Sequence, residues 1–165
     1  MTVAAVITVS DRSAAGERAD AGGPVAVAAL RSAGFACADA AIVPDGAASV
    51  EAAIRSAIDG GARLVVTTGG TGVGPRDETP EGTRRVIARE VPGIAEELRR
   101  RGAASTPTAM LSRGVAGVTG GAGALVVNLP GSPGAVAEGM PVVLGVAAHA
   151  IAQLDGADHP RGGAS

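Results

Sequence analysis

The residues best suited to chemistry lie close together in residues 64–85, where glycines and carboxylates follow an apolar run. Four glycines fall within six positions, Gly69, Gly70, Gly72 and Gly74, and three carboxylates come next, Asp77, Glu78 and Glu81. Glycine lets a ligand approach the backbone without meeting a Cβ, and free N–H groups ahead of a helix favour an anion such as phosphate. Carboxylate oxygens suit a hard cation such as Mg²⁺. The stretch therefore predicts a phosphate-binding loop beside acidic groups that can hold a cation.

Two common phosphate-binding motifs do not fit this loop. A P-loop ends in glycine, lysine and serine or threonine, whereas Gly74 is followed by Pro75 and Arg76. The dinucleotide fingerprint also fails, because proline stands where its last glycine is required. A tight strand-to-helix connection without a ligand stays the alternative, although such a turn needs neither Thr71 nor the carboxylates.

Apolar runs and helix signals place this loop in a regular α/β pattern. Strands are predicted at residues 3–9, 35–43 and 64–67, and helices at residues 24–33 and 48–59. Their alternation, with short connections, predicts a parallel sheet. Two further strands, 115–118 and 124–129, are joined by a glycine-rich turn and predict a hairpin. We predict the α/β class, with a mostly parallel central sheet covered by helices on both faces and one antiparallel edge hairpin.

Two helices are predicted after the glycine stretch. Thr79 is predicted as the N-cap of a helix over residues 80–90, with proline at the first helical position. A second helix is predicted to end at Arg101, because cations followed by Gly102 suit a helix C-terminus.

The length of the chain predicts one domain. Residues 1–155 are expected to form a single domain, and residues 156–165 a flexible tail. Within that domain, the apolar segment 135–154 is predicted as packing helices broken near Gly139 and Pro141.

Composition excludes several classes of function. All 14 basic residues are arginine, which rules out Schiff-base and lysine general-base chemistry. The net charge of -2 and the aromatic fraction of 1% leave neither a basic field nor stacking platforms for nucleic acid. Cys37, the only cysteine, is predicted to be a buried thiol. The sequence carries no leader pattern and no uninterrupted apolar run of membrane-spanning length, which predicts a cytoplasmic protein without a membrane contact.

Sheet topology predicts that three loops meet at one edge. In an open α/β sheet, ligands bind at the carboxyl ends of the strands, and residues 10–20, 69–81 and 130–134 all follow predicted strands. Asp45 follows the second strand and joins them. Because no Ser-His-Asp set is evident, phosphoryl or nucleotidyl transfer fits this edge better than nucleophilic triad chemistry.

Several of these residues have a plain structural alternative. Asp11, Asp20 and Asp45 could serve as turn or N-cap residues. Residues 130–134 could be a simple turn at a strand end. Arg113 could face a phosphate or form a surface ion pair.

The glycine stretch also carries a family resemblance. Residues 67–81, TTGGTGVGPRDETPE, resemble the signature of the MogA/MoaB family of molybdenum-cofactor biosynthesis proteins. Four other segments resemble the family's motifs in the same order: Ser10-Asp11-Arg12, Pro44-Asp45, residues 106–113 and residues 128–133. Together these segments extend over nearly the whole chain, which makes the resemblance far more specific than a glycine pattern.

The resemblance implies an activity. MogA-like members adenylylate molybdopterin: the terminal phosphate of the pterin attacks the α-phosphate of Mg-ATP, giving adenylylated molybdopterin and pyrophosphate. That product then accepts molybdate, which implies a downstream molybdate-inserting protein. The usual assembly of the family is a trimer, so a homotrimer is expected.

The resemblance also implies roles for individual residues. Asp45 and Asp77 match the family's two functional aspartates, with Asp45 as the Mg²⁺ ligand and Asp77 orienting the transferring phosphates. The substrate and nucleotide are expected to contact residues of the three loops, namely Ser10, Asp11, Gly69, Gly70, Thr71, Gly72, Thr79, Glu81, Pro130, Gly131 and Ser132.

One departure from the family pattern keeps a second function open. Related sequences often place lysine just after the late proline-glycine loop, whereas Gly134 and Ala135 stand here. MoaB-like relatives share the fold and need not catalyse. The alternative is therefore a molybdopterin-binding carrier or regulator without turnover. A more distant alternative is an unrelated binder of sugar phosphates or nucleotides with the same topology.

Overall fold

The fold is taken from a computed structural model, which describes residues 1–121 and 123–157. Of the predicted flexible tail, residues 158–165 lie outside the described residues.

A seven-stranded sheet forms the centre of the molecule. Its strands are β1 (Val3–Val9), β2 (Ala36–Cys37), β3 (Ala41–Val43), β4 (Leu64–Thr68), β5 (Arg89–Glu90), β6 (Ala116–Val118) and β7 (Leu125–Leu129). The order is β2-β1-β4-β7-β6-β5, and β3 also pairs with β1. Strands β1 to β4 and β7 pair in parallel, whereas β6 runs antiparallel to β7 and β5 antiparallel to β6. The predicted mostly parallel sheet and its antiparallel edge hairpin are confirmed.

The second predicted strand is interrupted. Ala4 pairs with Cys37, and Ile7 pairs with Ala41. Between these two pairs the chain advances by three residues in β1 and by four in the outer strand. One extra residue on the outer strand therefore divides it into β2 and β3, as in a β-bulge. This interruption leaves Cys37 half-buried, so the prediction of a buried thiol was wrong.

Helices cover both faces of the sheet, as predicted. They are α1 (Asp11–Ala14), α2 (Gly22–Ser32), α3 (Ala47–Asp59), α4 (Thr79–Arg84), α5 (Pro92–Ser105) and α6 (Pro133–Leu154), and a 3₁₀ turn spans Pro107–Leu111. Apolar side chains of α2, α5 and α6 form one core with the sheet. Side chains of α3 and of the segment after α4 form the other core.

Helix α6 is continuous, so the predicted break near Gly139 and Pro141 was wrong. Its buried face places Val136, Met140 and Val143 on the sheet at helical spacing. A Cβ at Gly139 would lie 2.9 Å from Leu129 Cδ2, so glycine allows a close approach to β7 rather than a break. By length and composition alone α6 could cross a membrane, although core helices pass the same test.

The two helices after the glycine stretch also differ from the prediction. Helix α4 ends at Arg84, and Arg89 and Glu90 pair with β6 instead of continuing the helix. Helix α5 runs past Arg101 and Gly102 to Ser105. A Cβ at Gly102 would lie 2.9 Å from Ala109 Cβ, so this glycine accommodates the 3₁₀ turn and does not end the helix.

Two glycines with opposite surroundings allow a matched test of the packing between α3 and α4. A Cβ at Gly82 would lie 2.5 Å from the Ala47 carbonyl oxygen, whereas a Cβ at Gly145 in α6 would meet nothing within 4 Å. We expect Gly82→Ala to lower the free energy of unfolding by about 1–3 kcal/mol, because backbone must move. We expect Gly145→Ala to raise it by about 0.5–1 kcal/mol, because alanine favours the helix. Urea denaturation measures both, and a Gly82→Ala protein as stable as the parent would contradict the close approach.

Candidate functional site

The glycine loop, residues 69–78, leaves the end of β4 through two residues with positive φ. Gly69 has φ 92° and Gly70 has φ 65°, values that side-chain-bearing residues rarely adopt. A Cβ at Gly69 would collide with the carbonyl oxygen of Val9, and one at Gly70 with Oγ1 of Thr79. These two glycines are therefore required by the path of the backbone itself.

Four successive carbonyl groups of the glycine loop are held by the protein. Oγ1 of Thr79 donates to the Gly69 carbonyl at 2.9 Å, and the Thr79 N–H donates to the Gly70 carbonyl at 3.1 Å. The N–H of Arg113 donates to the Thr71 carbonyl at 2.7 Å, and its Nε donates to the Gly72 carbonyl at 2.8 Å. Thr79 and Arg113 thus fix two carbonyls each.

This capture of the carbonyls determines where the amides point. No described peptide bond is cis, so each N–H is directed opposite to the carbonyl of the residue before it. The N–H groups of Gly70, Thr71, Gly72 and Val73 therefore point away from Thr79 and Arg113. Among the described residues, none of these four N–H groups has an acceptor. Such a row of free donors is suited to an anion.

Asp45 and Asp11 bind each other at the ends of β3 and β1. The Asp11 N–H donates to Oδ2 of Asp45 at 2.9 Å, and the Asp45 N–H donates to Oδ1 of Asp11 at 3.1 Å. The other oxygen of Asp45 faces the glycine loop, because Oδ1 would lie 3.2 Å from a Cβ at Gly70. The structure therefore places one Asp45 oxygen against the backbone of Gly70.

Arg76 closes the glycine loop over this acidic pair. Its Nε and Nη2 donate to the two oxygens of Asp11, both at 3.0 Å, and Nη2 also donates to the Asp45 carbonyl at 3.0 Å. The Arg76 hydrogen bond lowers the pKa of Asp11. Burial raises the pKa of Asp45, and the charges of Asp11 and Asp77 act in the same direction. An additional cation at this edge would therefore favour the ionised form of Asp45.

Asp77 lies within the curve of the glycine loop. Its Oδ2 accepts a hydrogen bond from the Gly74 N–H at 2.9 Å. The same oxygen would lie 2.9 Å from a Cβ at Gly72, so these glycines leave room for the carboxylate. Glu78, the next residue, is directed elsewhere: its carboxylate accepts from the Ala47 N–H at the start of α3. Of the two, only Asp77 is placed beside the N–H row.

The late loop, residues 130–134, contacts the glycine loop directly. A Cβ at Gly131 would lie 3.2 Å from the Cα of Gly69, which shows how closely the two backbones approach. Oγ of Ser132 accepts from the Ala135 N–H at 3.2 Å and caps α6. Among the described residues, the N–H groups of Gly131 and Ser132 have no acceptor. The late loop thus adds donors next to the N–H row.

Two clefts flank the contact between these loops, and Ser132 lines both. One, about 350 Å³, is lined by Ser10, Asp20, Gly69 and Gly131. Asp20 accepts hydrogen bonds from the Thr8 hydroxyl and the Gly23 N–H, which supports its alternative role as a cap.

The second cleft lies on the other side of the glycine loop. It measures about 370 Å³ and is lined by Thr71, Gly72, Pro130 and five residues of the segment 106–112, namely Thr106, Thr108, Ala109, Leu111 and Ser112. A larger groove of about 560 Å³, between β5 and α6, contains none of the predicted site residues. Residues of the three loops, 10–20, 69–81 and 130–134, together line the first cleft, which agrees with their predicted convergence.

Two predicted ligand-binding residues have protein partners instead of free polar atoms. Thr79 is fully buried and is the first residue of α4, with Glu78 at the N-cap. The predicted N-cap role of Thr79 was wrong, because its hydroxyl donates to Gly69 rather than accepting from the helix. Glu81 forms a close ion pair with Arg113, which lowers the pKa of Glu81. For Arg113, the structure favours the ion pair over a free guanidinium.

Sequence reasoning missed the contribution of Arg76 and of residues 106–112 to the site. Arg76 stands beside Asp77 in the glycine motif, and this position was the available signal. Residues 106–113 were recognised in the family resemblance, yet nothing in their spacing indicates that they line a cleft.

Comparison with known proteins agrees with this geometry. Residues 5–149 match a family model described as "Probable molybdopterin binding domain". The chain is 43% identical over 159 residues to a molybdenum cofactor biosynthesis bifunctional protein of Synechococcus elongatus, covering 94% of this chain and 48% of that protein. It is 39% identical over 137 residues to a molybdopterin adenylyltransferase of Haemophilus influenzae, covering 81% and 68%. The chain spans about half the length of the bifunctional relatives, of which a second comes from Chlorobaculum tepidum.

Solved structures give the same result. The molybdopterin biosynthesis Mog protein from Mycobacterium ulcerans superposes with a TM-score of 0.87 at 41% identity, covering 93% of this chain and 99% of that one. MoaB from Thermus thermophilus superposes with a TM-score of 0.85 at 43% identity, covering 94% and 98%. With the matched motifs, the shared fold and these identities, the chain belongs to the MogA/MoaB family of molybdenum-cofactor biosynthesis proteins.

Proposed function

We propose that this protein transfers the adenylyl group of ATP to molybdopterin and releases pyrophosphate. The observation that carries the proposal is the row of four unpaired N–H groups, Gly70 to Val73, in a loop against which the carboxylates of Asp45 and Asp77 lie. Curated relatives named molybdopterin adenylyltransferase, of which the chain covers 68–69%, support the same reaction. Membership of a molybdenum-cofactor family makes molybdopterin the expected acceptor.

In the proposed reaction, an oxygen of the pterin's terminal phosphate forms a bond to the α-phosphorus of ATP. The bond from that phosphorus to the oxygen bridging it to the β-phosphorus breaks, and pyrophosphate leaves with the electron pair. Negative charge is concentrated on the phosphate oxygens throughout, so fixed donors are the main contribution that a protein can make. The N–H row and the free amides of Gly131 and Ser132 supply such donors.

The acidic residues fit a Mg²⁺ ion that arrives with the nucleotide. Among the described residues, no group of three His, Cys, Asp or Glu side chains is arranged to hold a metal. Mg²⁺ commonly takes one or two carboxylates and completes its shell with phosphate oxygens and water. We assign Asp45 as its ligand and Asp77 as the residue that orients the phosphates. When bound, the ion would neutralise charge on the transferring phosphates.

The other predicted site residues have one of two roles: they contact the substrates, or they hold the loops in place. We assign Ser10, Gly69, Thr71, Gly72 and residues 130–132 to contact with the substrates, because they line the two clefts. Gly70 lines neither cleft and is assigned through its free N–H group, which lies between Gly69 and Thr71. Asp11, Thr79 and Glu81 have protein partners and are assigned to holding these segments in place.

Two features of the proposal come from the family resemblance: a homotrimeric assembly and a downstream protein that inserts molybdate into the product. The cytoplasmic location remains an expectation from the sequence pattern alone. A core made of small side chains buries little area per residue, which favours additional burial by subunit association.

The second candidate function is molybdopterin binding without turnover. One observation favours it: Gly134-Ala135 stand where related sequences often have lysine. Binding of molybdopterin without release of pyrophosphate would identify this carrier or regulator.

Substitution of the two aspartates tests the proposed reaction. We expect Asp45→Asn and Asp77→Asn to lower the rate of pyrophosphate release from ATP and molybdopterin by at least about 10²-fold. Each substitution removes the negative charge of a carboxylate and keeps the shape of the side chain. Asparagine at position 77 can still accept from the Gly74 N–H, so the loop is expected to persist. Asp59→Asn, at the exposed end of α3, is the control. Full activity in both site variants would refute the assignment.

The metal site is tested by calorimetry with and without nucleotide. We expect Mg²⁺ alone to bind the protein weakly, and ATP to bind the protein more tightly with Mg²⁺ than with a chelator, because Asp45 completes the shell of an ion that the phosphates already hold. Asp45→Asn should abolish this Mg²⁺-dependent gain in the affinity for ATP. Equally tight binding of Mg²⁺ without ATP would contradict this arrangement and would require a complete set of protein ligands.

A further inference from the structure

Arg113 makes more contacts with the glycine loop than an ion pair requires. Its N–H and Nε hold the carbonyls of Thr71 and Gly72, and Nη2 donates to the Asp77 carbonyl at 2.6 Å. The same guanidinium contacts both carboxylate oxygens of Glu81. One residue, distant in sequence, thus engages three carbonyls of the loop and the first turn of α4.

We propose that Arg113 is a positioning residue: it directs the N–H row by holding the carbonyls on its opposite side, and Glu81 holds Arg113. This inference deepens the proposed function and rests on it for its role in the reaction. Arg113 needs no contact with substrate, because it acts through the peptide units.

Peptide geometry gives the mechanism. The carbonyl of Thr71 and the N–H of Gly72 belong to one planar unit, and so do the carbonyl of Gly72 and the N–H of Val73. The backbone N–H of Arg113 therefore fixes the direction of the Gly72 amide, and the guanidinium fixes that of the Val73 amide. The side-chain variants remove only the second contact, together with the contact to the Asp77 carbonyl. Gly72 would otherwise allow the chain to rotate, since glycine has the widest choice of backbone conformations.

The guanidinium shape explains why arginine stands here. Nε and Nη2, along one edge of the guanidinium, donate to the carbonyls of Gly72 and Asp77, while Nη1 and Nη2, along the other edge, contact Glu81. A guanidinium offers five N–H donors in a rigid plane, whereas an ammonium is a point charge on a flexible stem. Lysine could keep the ion pair with Glu81 but could not hold both carbonyls in this geometry.

A simple surface ion pair is the competing explanation. Both side chains are roughly 40% exposed, and pairs at that exposure contribute about 0–1 kcal/mol to stability. That explanation predicts a small loss of stability on substitution, full rescue by lysine, and no effect on the order of the glycine loop. The positioning role predicts the opposite for lysine and for the loop.

The test compares Arg113→Lys, Arg113→Met and Glu81→Gln with Arg55→Met as a matched control. Arg55 makes the same kinds of contact, to the carboxylate of Glu51 and the carbonyl of Arg85, away from the clefts. Two quantities are measured on the full chain without substrate: ¹⁵N order parameters of the glycine-loop amides, and the affinity for inorganic pyrophosphate in the presence of Mg²⁺ by calorimetry.

We expect loop order parameters of about 0.85 in the parent and below about 0.6 in Arg113→Met, with β-strand amides unchanged. Pyrophosphate should bind about 10- to 100-fold more weakly to Arg113→Met, because donors that are out of place cannot act together. In loop order and in pyrophosphate affinity, Arg113→Lys should resemble Arg113→Met, and Arg55→Met should match the parent. Glu81→Gln should give values between those of Arg113→Met and the parent. If Arg113→Met does not fold, the Lys and Gln variants decide the question.

Two results would overturn the positioning role: an ordered loop with unchanged pyrophosphate affinity in Arg113→Met, or complete rescue of both by lysine. Failure of the proposed function gives a different result. In that case the parent releases no pyrophosphate from ATP and molybdopterin, while loop order and pyrophosphate affinity still depend on Arg113.

Discussion

The capture of four carbonyl groups in the glycine loop is the constraint on which the site depends. Backbone N–H and C=O groups both require partners, and this loop satisfies its carbonyls through Thr79 and Arg113 while leaving the N–H groups of residues 70–73 without any acceptor among the described residues. Unpaired N–H donors at a surface donate hydrogen bonds to water until a stronger acceptor displaces that water. A phosphate that displaces this water meets donors already directed at it, so little reorganisation remains to oppose binding.

The negative charges of the acidic residues near this row oppose the binding of an anion. Asp45 and Asp77 lie next to donors that suit an anion, and the charges of Asp11 and Asp77 already raise the pKa of Asp45. Arg76 compensates one of these charges through its two hydrogen bonds to Asp11. The remaining negative charge would repel a bare phosphate, so the arrangement is consistent with a phosphate that brings its own divalent cation. This consideration connects the two halves of the site and favours a Mg-nucleotide over a free anion.

Sequence reasoning identified the fold class and the loop convergence, because these depend on local patterns and on the general topology of α/β sheets. It also placed Asp45 and Asp77 next to the glycine loop, where the structure has them, whereas their roles in the reaction stay predictions. It did not identify contacts between residues far apart in sequence. Arg113 lies 41 residues from Gly72, and no local pattern indicates that it holds that carbonyl. Gly102 and Gly139 were interpreted as helix breakers, whereas both allow close packing inside helices. A local rule cannot distinguish these uses of glycine, since the partner that approaches is absent from the local sequence.

The absence of lysine from the whole chain fits a site built mainly from backbone. Close approaches such as Gly131 on Gly69 bring two sets of free amides together without any long side chain between them. The arginines of the site hold other protein groups in place: Arg113 donates to the loop carbonyls, and Arg76 donates to Asp11. Backbone amides have less freedom than a lysine side chain and lose less entropy when they bind. The free amides at this edge therefore offer hydrogen-bond donors in a chain that has Gly134 and Ala135 where related sequences often place lysine.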